Sequence, residues 1–157
     1  MGNEYQLGRG VRAGSSTDVL NNDIAAFGVG STGTQMQMNF GTLGTPYYLG
    51  TVNILASNTV AKTMGANTAT AGVVQLNGTG ANNLILSNAS SSLFTLAPLA
   101  GGSGTGMSLR LSTANSTIDG TGGITISANI TGTGTNAITK TGTGILNLSG
   151  ANTFTGG

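Results

Sequence analysis

The chain of 157 residues has no cysteine, no histidine and no tryptophan, and only four acidic residues against five basic ones. Each absence removes a class of chemistry. Without Cys and His there is no thiol nucleophile, no imidazole base, no disulfide framework and no zinc site of the usual ligand types. Glu4, Asp18, Asp23 and Asp119 leave little room for acid/base or calcium chemistry. A net charge of +1 gives little electrostatic grip on nucleic acid, which needs a clustered basic face. The expectation is a protein that is not an enzyme, with no cofactor, no metal and no nucleic-acid partner. No stretch approaches the roughly 18 apolar residues of a membrane span, and Met1–Gln6 lacks the apolar run of a signal peptide. The abrupt stop at Gly156-Gly157, after a patterned segment, adds to the expectation of a fragment whose Met1 is not the native start.

What is abundant decides the fold class. There are 28 Gly, 25 Thr and 16 Asn, residues that disfavour helix interiors, while Glu, Lys, Arg and Gln are scarce. Disorder is countered by a hydrophobic share of 38%, gathered into compact Leu, Ile and Val clusters. An all-β chain of short apolar strands separated by Gly, Asn, Ser and Thr turns fits best. The candidates from the N-terminal half onward are Val52–Leu55, Val73–Leu76, Leu84–Leu86, Leu93–Leu96 and Leu109–Leu111. Thr117–Asp119, Ile124–Ile126, Ala137–Thr139 and Ile145–Leu148 follow. Before them, Met36, Met38 and Phe40 alternate with Gln35, Gln37 and Asn39 at the period of two of a half-buried strand.

Clusters recur at intervals of about 20–25 residues, pairing Val52 with Val73, Leu84 with Leu109, and Ile124 with Ile145. A second series runs Leu96, Ile118, Ile138. Interleaved series of similar period suit a solenoid in which each coil supplies more than one strand. Stacked coils would align inward Leu and Ile into aliphatic columns and leave Arg, Thr and Asn outside. In Ile145-Leu146-Asn147-Leu148 the two leucines are expected inward and Asn147 outward, which requires either that Ile145 lie on the outer face or that the strand kink. Residues 1–46 read as an irregular N-terminal β segment and residues 47–157 as the coils.

The last coil carries a motif: Lys140, Gly142, Gly144, Leu146, Leu148, Ser149, Gly150, Asn152, Thr153, Phe154 and Gly156. This run closely resembles the autotransporter-associated β-strand repeat, also called the passenger-associated transport repeat. Its pattern is Lys-x-Gly-x-Gly-x-Leu-x-Leu-Ser/Thr-Gly-x-Asn-Thr-Tyr/Phe-x-Gly. The stretches 40–44, 83–88 and 118–126 look like segments that commonly precede it. The resemblance implies a right-handed parallel β-helix in a secreted or surface-exposed protein, many of which are autotransporter passengers. Only one full motif is present, where the family usually has several.

Other motifs have plainer readings. Gly28–Gly33 fits G-x-G-x-x-G, but a dinucleotide site needs a helix next and an acid about 20 residues on, where Asn53 stands. Gly101–Gly106 lacks the Lys-Ser/Thr of a phosphate loop and reads as a flexible insertion. Arg110 and Asp119 suggest a solvated ion pair across coils. Asn-x-Ser/Thr triplets at Asn77, Asn88, Asn115, Asn129 and Asn147 read as turn-forming Asn, with side chains that could ladder between coils. Tyr47-Tyr48, the one aromatic pair, is either a carbohydrate contact or, more simply, a packed pair. The function expected is a structural repeat segment of an adhesin-like surface scaffold. Its expected partners are a surface carbohydrate or host surface, and a second copy through an uncapped β-helix end. The alternative is part of a β-helix carbohydrate-active enzyme or carbohydrate-binding module.

Overall fold

The computed structural model describes residues 24–28, 33–38, 46–66, 72–78, 80, 82–98, 107–111, 115–132 and 135–156. Glu4, Arg9, Arg12, Asp18, Asp23, Phe40 and the 101–106 glycine run lie outside them. The described residues form fourteen strands and no helix. These are β1 (Ile24–Phe27), β2 (Gln35–Met38), β3 (Tyr47–Leu49), β4 (Thr51–Ile54), β5 (Lys62–Ala66), β6 (Gly72–Leu76) and β7 (Leu84–Asn88). They continue with β8 (Phe94–Leu96), β9 (Met107–Leu111), β10 (Ser116–Gly120), β11 (Ile124–Ile126), β12 (Asn129–Thr131), β13 (Ile138–Thr141) and β14 (Leu146–Leu148).

The strands fall into three parallel sheets, ordered β1-β4-β7-β10-β13, β14-β11-β8-β5-β2 and β12-β9-β6-β3. Each of β1 to β11 therefore pairs with the strand three places further along the chain, and successive triplets stack one on the next. β1 and β2 precede residue 47 and join the same sheets as the later strands.

Alternation along each strand builds the core. In β6, β9 and β10 buried and half-exposed residues alternate over all five positions. Register then lines up the inward set: Val52, Leu86 and Ile118 in the first sheet; Phe94, Ile124 and the half-buried Leu146 in the second; Val74, Leu109 and Ile130 in the third. All nine belong to or pack on one hydrophobic cluster shared by the three sheets. Parallel neighbours lie about 4.8 Å apart, so these are the aliphatic columns expected from the sequence.

Two details differ from the expectation. The recurrence is longer and less even than 20–25 residues: Gln75 pairs with Arg110, 35 residues on, while Asp119 pairs with Thr141, 22 residues on. Val52 and Val73 lie in different sheets, as do Leu84 and Leu109. Unequal connections are the cause: β8 and β9 are joined by residues 97–106, β11 and β12 by 127–128 only. The second difference is a bulge. Leu84 pairs with Thr117 but Leu86 with Ile118, leaving Ile85 as the extra residue. A bulge breaks the period of two, so Ile85 and Leu86 are both buried and Leu84 is half-exposed.

Candidate functional site

The motif residues at the C-terminal end make their closest contacts with backbone. A Cβ at Gly144 would fall 2.1 Å from the carbonyl oxygen of Gly122, and one at Gly150 would fall 2.3 Å from that of Ala128. Gly156 stands in the same relation to Asn136, at 2.1 Å. Gly142 has φ +73° and its missing Cβ would also meet the Gly120 carbonyl. These glycines let one stretch of backbone lie directly on the stretch before it.

The remaining motif side chains surround that contact. Leu146 and Leu148 are half-buried and pack on the core, Asn147 between them is exposed, and Ile145 is 78% exposed. Phe154 packs on the same cluster. The Asn152 Oδ1 accepts from the Ile130 N–H at 3.0 Å, and the Thr153 N–H donates to the Ile130 carbonyl at 2.9 Å. The segment after β14 thereby runs beside β12 without being a strand. Ser149 donates its N–H to Ile126, and Lys140 Nζ donates to the carbonyls of Thr141 and Gly142.

Asn115, Asn129 and Asn88 bond to backbone of the next triplet. Asn115 Oδ1 accepts from the Ala137 N–H and Asn129 Oδ1 from the Ala151 N–H, each across 22 residues. Asn88 is fully buried: its Nδ2 donates to Ser92 and Gly123 carbonyls at 2.9 Å, and its Oδ1 accepts from the Ser90 N–H at 3.1 Å. Burial and these bonds remove Asn88 as an acceptor for modification in the folded chain, while Asn147 is exposed.

The aromatic pair is split by the strand it sits on. Tyr47 packs against the core; Tyr48 is buried on the other side of β3. In register with Tyr48 are Gln75 and then Arg110. The guanidinium donates to Gln75 Oε1 at 2.7 Å and reaches the Tyr48 hydroxyl at 3.4 Å. Arg110 therefore makes no pair with Asp119, which lies on β10 in another sheet and accepts from the Thr141 hydroxyl at 2.8 Å. The Gly28–Gly33 run leads from β1 to β2, a strand where a dinucleotide site needs a helix. Lys62, which the sequence did not single out, faces inward with 1% exposure in register with Phe94, and the Gly33 carbonyl is among its acceptors.

A shallow depression of about 580 Å³ lies on the outer face of β7, β10 and β13. Leu84, Thr117 and Thr139 share one register row across its floor, and Asp119 and Thr141 share the next. Asn82, Asn83 and Asn115 form its rim in sequence order before β7 and β10. Asn83 takes φ +47°, a left-handed conformation that Asn tolerates, with its carbonyl bonded to the Thr117 N–H at 3.0 Å. Sequence reasoning missed this surface because its members are ordinary turn and outer-face residues until register brings them together.

Among the described residues no group of three or more His, Cys, Asp or Glu is placed to hold a metal, and no helix is long and apolar enough to cross a membrane. No protein-family model, curated protein or solved structure matches the chain.

Proposed function

We propose that the chain is a structural segment of a right-handed parallel β-helix, borne by a secreted or surface-exposed protein as an adhesin-like scaffold of the autotransporter passenger type. The observation that carries this reading is the pairing of each of β1 to β11 with the third strand along, in three parallel sheets around one core. A chain that winds through three faces per coil gives that pattern, and parallel crossovers within a sheet are right-handed in nearly all proteins. The resemblance of 140–157 to the passenger-associated repeat supports the cellular setting. The glycine contacts supply a physical reason for such a motif to keep Gly at 142, 144, 150 and 156.

Surface display tests the setting. Joined in frame between an export signal and an outer-membrane β-barrel, the chain should reach the bacterial surface and be removed by added protease. Retention behind the outer membrane would reject the passenger reading. Incubation with a polysaccharide panel separates the enzyme alternative, which requires released product. Its catalytic groups would have to come from outside this chain, because Asp119 is the only acid after Asp23.

A further inference from the structure

We infer that the depression over β7, β10 and β13 is a binding site for a short, uncharged saccharide. It offers about 580 Å³ of open space over seven polar side chains and one apolar one, Leu84. The side chains around it are divided between those that build it and those left to meet a ligand. Thr117 donates its hydroxyl to the Asn82 carbonyl at 2.6 Å, Thr141 donates to Asp119 Oδ1, and Asn115 accepts through Oδ1 from Ala137. These bonds hold the carboxylate and the Asn115 amide in fixed orientations. What remains without a partner among the described residues is Asp119 Oδ2, Asn115 Nδ2, the Thr139 hydroxyl and the side-chain amides of Asn82 and Asn83.

That inventory selects the ligand class. A carboxylate oxygen can only accept and an amide nitrogen can only donate, so the two together match neighbouring hydroxyls, each of which can do both. Among the described lining residues Asp119 carries the one charge, a negative one, which disfavours anionic ligands, and the ammonium of neighbouring Lys140 is engaged by the Thr141 and Gly142 carbonyls. Among the described lining residues there is no aromatic ring, so neither a nucleobase nor a sugar could stack there, and recognition rests on hydrogen bonds to hydroxyls. Leu84 supplies an apolar floor for the C–H face of a sugar ring. With a single carboxylate among its described lining residues, the site offers no carboxylate pair for glycoside cleavage, and the role inferred for it is binding without hydrolysis. This site lies on a different sheet from the Tyr47-Tyr48 pair, and it does not depend on the scaffold reading.

The experiment is a titration of the full chain, isotopically labelled, with cellotriose, maltotriose and tri-N-acetylchitotriose, and with trigalacturonate as the anionic control, followed by amide NMR shifts. Saturable shifts confined to β7, β10, β13 and the Asn82–Asn83 and Asn115 rims are expected with at least one neutral trisaccharide and none with the uronate. Asp119→Asn should weaken binding about ten-fold, as expected for loss of a hydrogen bond to a charged group. Thr139→Leu, at an exposed position, should abolish binding while leaving amide shifts away from the site unchanged. The inference is overturned by absence of saturable shifts with all three neutral sugars, by shifts mapping elsewhere, by tighter binding of the uronate, or by unweakened binding in both variants. Because surface display is read on cells and this titration on the purified chain, either reading can fail without the other.

Discussion

Gly144 and Gly80 both lack a Cβ, yet the structure gives the two absences different weights. Gly80 has φ +70° with nothing within 4 Å of where a Cβ would stand, so alanine there meets only the backbone penalty of the left-handed region. That cost is about 1 kcal/mol. At Gly144 the methyl group would collide with the carbonyl oxygen of Gly122, and no flexible side chain can give way. Gly144→Ala should therefore cost about 3 kcal/mol or more and shift the denaturant midpoint well beyond Gly80→Ala. Equal midpoints would mean that the backbones are not in contact. The leucines of β14 give a second comparison. Leu148 is in register with Ile126 and half-buried against the core, so Leu148→Asp should cost about 2–3 kcal/mol, while Asn147→Asp at the exposed position between the leucines should stay within about 0.5 kcal/mol. Denaturant melts in which the Asn147 variant is the weaker one would invert the register of β14.

Elements in this chain are fixed as much by their corners as by their aliphatic faces. The turn after β7 is organised by Asn88, whose amide nitrogen bridges the Ser92 carbonyl of its own turn and the Gly123 carbonyl of the next triplet. Asn88→Ala leaves the Ser90 N–H without its acceptor in a buried site and takes one donor from each carbonyl, the Gly123 carbonyl keeping the Phe94 N–H and the Ser92 carbonyl the Ser90 hydroxyl, at a cost of about 1–3 kcal/mol. Asn88→Asp should be worse than alanine in thermal melts at neutral pH, because it sets a carboxylate oxygen against two carbonyls. An aspartate variant as stable as the alanine one would show that the two donor bonds do not form. The same distinction explains which elements the sequence makes legible. β9, β10 and β11 stand out because Leu109 and Leu111, Ile118, and Ile124 and Ile126 mark them. β5 and β12 do not: Lys62-Thr-Met-Gly-Ala has a buried lysine where an aliphatic belongs, and Asn129-Ile-Thr has a single aliphatic. Neither composition separates a strand from a turn without its neighbours. The bulge at Ile85 is equally invisible, since three consecutive aliphatics fit a two-sided strand as well as an interrupted one. The depression is less legible still: Asn82, Asn115 and Thr139 become one surface only through pairing registers that no local pattern encodes.

At the scale of the molecule, stacking is what the sequence conveys and spacing is what it conceals. Alternation in short segments announces strands with one buried face, but the connection lengths vary, so equal intervals align residues that belong to different sheets. Stacking also determines how the chain should behave in solution. β13 and β14 are the outermost strands of their sheets, and the columns they extend are only half-covered there: Ile138, Leu146 and Leu148 are half-buried, whereas Ile118, Ile124 and Ile126 are fully buried one triplet earlier. An outermost parallel strand offers one row of backbone donors and acceptors, a template for another strand. Neighbouring Ile145 adds an exposed apolar side chain to that edge. Sedimentation velocity should accordingly show association that increases with concentration. Ile145→Lys and Asn147→Lys together place two like charges at the β14 edge, at positions whose side chains are exposed, and should shift the chain toward monomer without lowering its melting temperature. Added salt, which screens such charges beyond about 3 Å at 1 M, should partly restore association in the variant. Wild-type chain that sediments as a monomer throughout its soluble range, or a lysine variant that associates as strongly as the wild type at low salt, would locate the exposed edge somewhere other than β14.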